Sequence, residues 1–431
     1  MSAKSASWLE IDLTRLDGNL AAWRHALCPA DPDPLDPSTP ARDPAPAATP
    51  GICAVVKADA YGLGAGHIAR RLAWRGVDML AVYCPDQARE LLTGGLNCPI
   101  LLLMPVHELA RADPLYRLAV AGRLHLTVHG PAHAEDLAAL GRRFGIRLPV
   151  HLYADTGMSR GGVPAALFDH TLAVIAGEQK LRLAGIATHF ATGPSQAQFL
   201  DEQMDRFDRL LAPHRDRLPG DCIIHAAGTF AALRHRRYHR GMVRLGLGLL
   251  GYGPELLEDA APRLEPLPRL EPILRWVSTL VHVERFPAGA TVGYDRTCTL
   301  QRHSVLGLVP VGFADGYPLA LSNGASIAVH RPVLGEDVVH PAPLLGRVSM
   351  DQIVVDLTDL PGAAVGDRVE LISTDPSSPC ALPQLAKLAG SHCYELLCRL
   401  SPRLPRTHLH DARSKPNPVR LRRGRPAAVA L

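Results

Sequence analysis

Between residues 51 and 253, short apolar runs alternate with segments whose apolar residues recur at helical spacing. The strand-like runs are GICAVV, MLAVYC, PILLLM, LHLTV, LPVHLY, LAGIATHF, CIIHAAG and MVRLGL. Strands that alternate with helices indicate βαβ units and a parallel sheet, and about eight units fit this stretch. We therefore predict an α/β fold with an N-terminal (β/α)8 TIM-like barrel. Since no G-x-G-x-x-G follows the first strand, a dinucleotide site is disfavoured.

The pattern changes after residue 253. A linker rich in Pro, Glu and Leu is followed by β-rich segments with Gly and Pro turns and by one late helix, LPQLAKLAG. We predict a barrel domain over residues 1–262 and a C-terminal mostly β domain over 263–410. A Pro/Ala/Asp insertion at 29–50 has no periodicity and should be a flexible surface loop. Residues 411–431 form a basic tail, which we expect to be solvated.

Composition excludes several classes of partner. Much of the net charge of +4 lies in the tail, so no basic face for nucleic acid is expected. The first twenty residues carry charges throughout, and the apolar runs are too short to span a membrane, which predicts a cytoplasmic protein. The nine cysteines contain no C-x-x-C pair, and the histidines form no H-E-x-x-H motif. We expect reduced thiols and no metal.

The stretch AVVKADAYG, residues 54–62, raises the first chemical hypothesis, because its apolar run ends on Lys57. The chain has only five lysines, and the other four lie in polar ends, a turn or an amphipathic helix. Arginine cannot lose its proton in a protein, whereas a desolvated lysine can. Lys57 is therefore a candidate reactive group, although a lone lysine at a strand end is more often an edge residue that points to water.

Further polar residues stand at the predicted carboxyl ends of barrel strands, where TIM barrels carry their reactive groups. They are Asp155, Arg160, His189, His225, Thr229, Arg244 and Gly246. Each could be structural when taken singly, but a group on one predicted face indicates a site.

Together with the lysine, this group suggests a pyridoxal 5'-phosphate site. Tyr61 lies one helical turn after the lysine and can face the same pocket. Thr229 and the backbone at Gly246 and Leu247 offer hydroxyl and N–H groups for a phosphate near a helix start. His189 is placed to lie flat against the cofactor ring.

Seven motifs make the chain resemble the alanine racemase family over nearly its whole length. In the family's order they read AVVKADAYG, DTGMSRGG, THFA, VRLGLG, VGYDRT, VGFADGYP and GRVSMDQ. The resemblance implies a barrel that carries pyridoxal 5'-phosphate, and a β domain that completes the site of the other subunit in a homodimer. It also implies a cytoplasmic enzyme that interconverts L-alanine and D-alanine and supplies D-alanine for peptidoglycan.

The resemblance further implies a role for each residue. Lys57 holds the cofactor and is the base for D-alanine, while Tyr294 is the base that serves L-alanine from the partner subunit. Arg160 binds the cofactor phenolate oxygen and the substrate carboxylate, and Met350 and Asp351 form the substrate-side pair. Arg244 is the partner of the pyridine nitrogen, and His225 lies behind it. The phosphate group is held at four positions: Tyr61, Thr229, Gly246 and Leu247.

Elementary chemistry agrees with these roles. A single base would return the proton to the face it left, so racemisation needs one base on each face. Lys57 and Tyr294 both have ordinary pKa values of about 10, which must fall inside the site to act near neutral pH. Arg244 can only donate, so the pyridine nitrogen must accept and stay unprotonated. This weakens the ring as an electron sink and should suppress decarboxylation and transamination.

The chain departs from the family pattern at four places. In the family a lysine often holds the site arginine in place, and in this chain that position is Tyr153. Arg160 must therefore be held by another group, either a bound anion or another side chain. A tyrosine at the substrate entry is Phe313, a position that is often a phosphate-binding tyrosine is Pro402, and the usual Asn-Ser is Gly228-Thr229. Both bases are intact, so these changes bear on affinity and substrate breadth.

Two alternatives stay open at this point. A racemase of broader specificity, acting on serine as well as alanine, would fit Phe313 and Tyr153. A non-catalytic protein that only binds pyridoxal 5'-phosphate would fit the barrel alone, although such proteins lack the β domain.

Overall fold

The computed structural model describes residues 6–28, 49–192, 196–257, 263–333 and 336–410. The predicted insertion at 29–50 lies almost wholly outside these residues, and the predicted tail at 411–431 lies entirely outside them.

The strands follow in chain order. They are β1 (Ser7–Asp12), β2 (Gly51–Val55), β3 (Met79–Val82), β4 (Ile100–Leu102), β5 (Leu124–Val128), β6 (Leu148–Tyr153), β7 (Leu181–Ala187), β8 (Ile223–Gly228), β9 (Met242–Leu245), β10 (Leu274–Thr279), β11 (His282–Phe286), β12 (Thr291–Val292), β13 (Cys298–Thr299), β14 (Ser304–Val309), β15 (Ser326–Val333), β16 (Glu336–Leu345), β17 (Ile353–Asp356), β18 (Arg368–Ile372) and β19 (Arg406–Leu409). The right-handed α-helices are Leu13–Leu27, Ala65–Trp74, Pro85–Leu91, Leu115–Val120, Pro131–Phe144, Ala165–Gly177, Ala197–Leu211, Thr229–Arg234, Leu382–Leu388 and Cys393–Cys398.

Strands β2 to β9 close into a parallel barrel in sequence order, which confirms the predicted (β/α)8 fold. The first and last of them pair directly, with Gly51 opposite Met242 and Ala54 opposite Leu245. These strands are continuous apolar runs because barrel strands are covered on both faces. Two short helices, Leu115–Val120 and Thr229–Arg234, were not predicted, since six residues are too few to show a helical period.

The second unit is a nine-stranded sheet in the order β11-β14-β17-β16-β15-β18-β10-β1-β19, which confirms the predicted mostly β domain. Its strand β1 pairs antiparallel with β10 and parallel with β19. Residues 7–12 therefore belong to the sheet of the β domain, and the predicted boundary that placed them in the barrel domain is wrong. Their alternating burial, with Leu9 and Ile11 inside, is typical of a sheet that is open on one face.

All nine cysteines lie within the described residues, and all nine are free thiols. Among the helices of the described ranges, none is both long enough and apolar enough to cross a membrane.

Candidate active site

Lys57 lies two residues after the end of β2 and begins a left-handed turn, Lys57–Gly62. The four residues after Lys57 have φ values of 52, 55, 51 and 59°, although none of them is glycine. Each L-residue in this conformation costs about 1–2 kcal/mol, so the surrounding structure must hold a strained turn in place. Strain of this kind is concentrated at functional sites, and here it lies beside the candidate reactive lysine.

Asp59 ties this turn to the next helix. Its carboxylate accepts a hydrogen bond from the N–H of Ala65 (2.7 Å), and its carbonyl accepts from Leu63 (2.9 Å) and Gly64 (3.0 Å). Tyr61 lies one turn after the lysine, as its spacing predicted, but the hand of the turn is opposite to that of an ordinary helix.

Tyr61 reaches the segment that follows β9. A Cβ on Gly246 would collide with the Tyr61 hydroxyl, so only glycine allows this approach. Thr229 Oγ1 accepts hydrogen bonds from the N–H groups of Gly246 (3.4 Å) and Gly248 (3.2 Å). Leu247 opens a short 3-10 helix, so its N–H has no intrahelical acceptor. Two hydroxyls and the N–H of Leu247, at a helix start, meet here, which suits a phosphate group.

A second tyrosine at this end was missed in the sequence. The ring of Tyr394 lies 5.5 Å from that of Tyr61, between ring centroids. Tyr394 belongs to the helix Cys393–Cys398, which packs closely against the left-handed turn. A Cβ on Gly62 would lie only 2.6 Å from the Leu397 carbonyl oxygen of this helix. The family resemblance places such a tyrosine at position 402, which is Pro402 in this chain. The helix that carries Tyr394 has only six residues, so it leaves no periodic signal in the sequence.

Two arginines, Arg160 and Arg244, act electrostatically on Lys57. Burial lowers the pKa of Lys57, and the charges of Arg160 and Arg244 lower it further, while the Cys398 thiol acts in the opposite direction. Burial also lowers the pKa of His189 to about 3, with further lowering by Arg244, Arg160 and Lys57. The barrel thus brings these side chains together around His189, and the lysine is shifted towards its neutral form.

Arg244 on β9 is buried and well bonded. Its Nη1 donates to His225 Nδ1 (2.8 Å), and its Nη2 donates to the carbonyl of Thr188 (2.7 Å) and to His189 Nδ1 (3.1 Å). Further bonds run to the carbonyls of His225 and Ala226. None of these bonds uses Nε, so within the described residues the Nε–H is left as a donor for a ligand.

Arg160 is carried by an ordered loop. Asp155 Oδ1 accepts hydrogen bonds from three successive N–H groups, those of residues 157–159, at 2.9 to 3.1 Å. Burial raises the pKa of the neighbouring Tyr153, and Arg244 and Arg160 lower it, the latter also through a side-chain hydrogen bond. The Tyr153 ring packs edge-on against His129 at 5.4 Å. Tyr153 thus interacts with Arg160 from the position of the family's bracing lysine.

The remaining predicted residues lie on the β domain and are exposed. Tyr294 is 69% exposed and Met350 is 57% exposed. The Asp351 carboxylate pairs with Arg403 at 2.7 Å, and the Met350 carbonyl accepts a bond from Ala314 N–H at 3.0 Å. Within one chain these residues therefore face outwards, and they are not brought into the group around the lysine.

The donor set of the barrel fits pyridoxal 5'-phosphate. The phosphate would meet the hydroxyls of Tyr61 and Thr229, a pyridine nitrogen would meet the free Nε–H of Arg244, and an aldehyde would meet a lysine shifted towards its nucleophilic form. No group of three or more His, Cys, Asp or Glu side chains that could hold a metal is present in the described part of the chain.

Comparison with known proteins agrees with this arrangement. Residues 42–254 match the family model of the alanine racemase N-terminal domain, and residues 273–408 match that of the C-terminal domain. The alanine racemase of Halothermothrix orenii is 32% identical over 358 residues, which cover 83% of this chain and 89% of that protein.

Solved structures are similar over nearly the whole chain. Alanine racemase from D-cycloserine producing Streptomyces lavendulae has a TM-score of 0.78 at 26% identity, covering 95% of this chain and 98% of its own. Alanine racemase from Bartonella henselae, with covalently bound pyridoxal phosphate, has a TM-score of 0.74 at 25% identity, covering 94% and 100%. With both domain models matched in order and this relative aligned over most of both chains, the protein belongs to the alanine racemase family.

Proposed function

We propose that Lys57 and Tyr294 of the partner subunit are the two bases with which this chain interconverts L-alanine and D-alanine. The activity and the dependence on pyridoxal 5'-phosphate are those of the family; the residue roles and the shared site are the proposal. The observation that carries it is the burial of Lys57, which lowers its pKa together with the charges of Arg160 and Arg244. Supply of D-alanine for peptidoglycan is the general role of the family.

Bound pyridoxal 5'-phosphate withdraws electrons from the substrate α-carbon and makes its proton acidic. Lys57 Nζ must be neutral to accept that proton, and burial together with the nearby arginines favours the neutral amine. Arg160 offers a planar guanidinium fork for the substrate carboxylate. Arg244 can only donate, so an acceptor at its Nε–H stays unprotonated.

The β domain supplies the reason for proposing a homodimer. Tyr294, Phe313, Leu319 and Met350 are among the large apolar side chains of this domain that are 46 to 69% exposed. The 312–314 and 349–350 segments lie side by side, because Phe313 N–H donates to the Ser349 carbonyl at 3.0 Å. Adjacent exposed apolar residues mark interaction surfaces, and a twofold partner would cover this one. The second base would then enter the barrel site of the other subunit.

Mixing two inactive variants tests the shared site. In a mixed dimer of Lys57→Ala and Tyr294→Ala, one site carries both changes and the other carries neither. Random exchange of equal amounts makes about half of the dimers mixed, with one of two sites intact, so about a quarter of wild-type activity should return. Racemisation of L-alanine is measured by chiral chromatography.

The matched control mixes Lys57→Ala with the Lys57→Ala, Tyr294→Ala double variant, which can form no intact site. Exchange of subunits is followed by native mass spectrometry. Mixed dimers without activity would contradict a shared site and leave the second base to be found within one chain.

Tyr153 is proposed to brace Arg160 directly, without a bound anion. Tyr153→Phe should raise KM for alanine about tenfold with a smaller change in kcat, because a hydrogen bond to a charged group is worth about 1.5–3 kcal/mol. The phenyl ring would keep its packing against His129. Steady-state kinetics measure both constants.

Tyr116→Phe is the control for this variant, since Tyr116 lies on an outer helix and packs against Phe144 at 5.0 Å. An unchanged KM in Tyr153→Phe, beside a raised KM in Arg160→Ala, would show that another group holds the arginine. Serine is measured in the same assay, since turnover comparable to alanine would favour the broader racemase suggested by Phe313. The non-catalytic alternative is disfavoured because the β-domain match extends over residues 273–408.

We also propose that the enzyme works in the cytoplasm. The nine unpaired cysteines support this location, because disulfides are rare where thiols are kept reduced.

A further inference from the structure

The inner face of the barrel carries a row of histidines that the mechanism does not use. A separate small apolar cluster occupies one group of barrel strands and consists of Cys53, Met79, Ala81, Leu101 and Met242. On other strands, His125, His151 and His225 are 6, 0 and 1% exposed. Barrel interiors are usually filled by branched apolar side chains, so three buried histidines need a reason.

The three histidines form one chain of hydrogen bonds that ends on Arg244. His125 Nδ1 lies 2.8 Å from His151 Nε2, and His151 Nδ1 lies 2.9 Å from His225 Nε2. His225 Nδ1 in turn lies 2.8 Å from Arg244 Nη1. At the far end, His125 hydrogen-bonds the backbone of Gly122, just before β5.

The arginine fixes the direction of every bond in this chain. Because Arg244 can only donate, His225 Nδ1 must accept, and its proton must be on Nε2. That proton is donated to His151 Nδ1, so His151 also carries its proton on Nε2. His151 then donates to His125 Nδ1, and His125 donates from Nε2 to the carbonyl of Gly122. All three rings are thus neutral Nε2–H tautomers.

The barrel makes room for the middle ring. Gly185 on β7 stands opposite His151 on β6 in the strand register. A Cβ on Gly185 would collide with His151 Nδ1, the atom that accepts from His225. A glycine in a buried strand has no side chain to pack, and here the missing side chain leaves the space that the His151 imidazole occupies.

The surroundings keep the rings neutral. Burial lowers the pKa of His125 to about 4 and holds the pKa values of His151 and His225 well below the usual range. Within the described residues, Arg244 bonds only to ring nitrogens and carbonyls, with no carboxylate among its partners. The buried guanidinium therefore keeps its full charge for a ligand, and no acidic group beside it can pass on a proton.

We propose that His125 and His151 are positioning residues, which lock His225 as a pure acceptor and so fix Arg244 with its Nε–H directed at the cofactor. This inference rests on the proposed role of Arg244. A histidine that was free to exchange tautomers could turn an N–H towards the arginine and release it. The chain excludes that state because the Nδ1 atom of each ring already accepts a hydrogen bond, from Arg244 in His225, from His225 in His151 and from His151 in His125.

The tautomers are measured directly on the holoenzyme. Long-range 1H–15N correlation spectra of protein labelled in histidine distinguish Nδ1–H, Nε2–H and doubly protonated rings. We expect all three rings to be neutral with the proton on Nε2. A His225 with its proton on Nδ1, or a doubly protonated ring in the chain, would overturn the proposal without reference to activity.

A matched pair of variants at His151 tests what the chain does. Asparagine and leucine have the same shape, but only the asparagine oxygen can take the place of Nδ1 and accept from His225. His151→Leu should lower kcat on the order of tenfold. At metal sites, loss of a residue that holds a directly bound ligand lowers affinity or activity by about 10- to 100-fold, and the expected effect is at the lower end of that range. It should shift the absorption of the bound cofactor and the His225 signal, with KM for alanine little changed. His151→Asn should restore all of these towards the wild type.

Thermal unfolding of both variants separates positioning from stability. Equal losses in the two variants with an unshifted cofactor spectrum would show a structural role only and overturn the proposal, as would a wild-type kcat in His151→Leu. If His151→Leu does not fold, Gly185→Ala displaces the ring from the same chain and should change the spectrum in the same direction. Arg244→Lys tests the role of the arginine separately: unchanged kcat and spectrum there would refute the proposed role of Arg244 and leave the tautomer result standing.

Discussion

Replacing Lys57 with arginine is expected to abolish racemisation. Arginine keeps the positive charge and a similar reach, but it cannot lose its proton and cannot serve as nucleophile or base. Loss of a general base alone lowers rates by about 10²–10⁴-fold, and loss of covalent cofactor attachment adds to this. We expect kcat/KM to fall at least about 10³-fold for both enantiomers, because the equilibrium constant ties the two directions together.

The measurement is chiral analysis of L-alanine and D-alanine, with the absorption of the bound cofactor as a second readout. Lys387→Arg is the matched control, since Lys387 is exposed on the helix Leu382–Leu388 and should leave activity unchanged. Lys387 differs from Lys57 in that Lys57 is buried. Desolvation lowers the pKa of Lys57 and so increases the fraction of neutral amine at any pH below the ordinary pKa of lysine. More than about 1% residual activity in Lys57→Arg would require a different base.

The barrel was predictable because its strands are buried on both faces. Each run of apolar residues, such as LHLTV, coincides with a strand, β5, whose residues are all buried. Strand β1 was assigned to the wrong unit because its pairing partners, β10 and β19, are distant in sequence. The six residues of β1 do not by themselves indicate which strands they pair with. Local pattern fixes the type of an element, whereas tertiary contacts fix its neighbours.

The candidate site was predictable to the extent that it is made of strand ends. Residues that follow β2, β7, β8 and β9 meet at one end of the barrel, as parallel strands require. The left-handed turn after Lys57 was not predictable, since its non-glycine residues give no signal for positive φ. Tyr394 and His151 were missed for another reason: each acts through a contact with a residue far along the chain, Tyr61 and His225 respectively.

Tyr294→Phe should separate the two bases by the enantiomer that they serve. Lys57 remains, so the α-proton of D-alanine should still exchange with solvent deuterium, while exchange from L-alanine and net racemisation fall by about 10²–10⁴-fold. Tyr294 is 69% exposed within one chain, so the loss of its hydroxyl removes no internal packing. Proton NMR in deuterated water follows the α-proton of each enantiomer directly.

This asymmetry is what distinguishes a second base from a residue that merely helps binding. A binding residue would lower exchange from both enantiomers alike, because both present the same carboxylate and methyl group to the site. Tyr116→Phe removes a hydroxyl from an outer helix and should leave both exchanges at the wild-type rate. Equal losses for L-alanine and D-alanine in Tyr294→Phe would therefore remove the tyrosine from the role of base, and exchange from L-alanine at the wild-type rate would place the proton acceptor of that face on another residue.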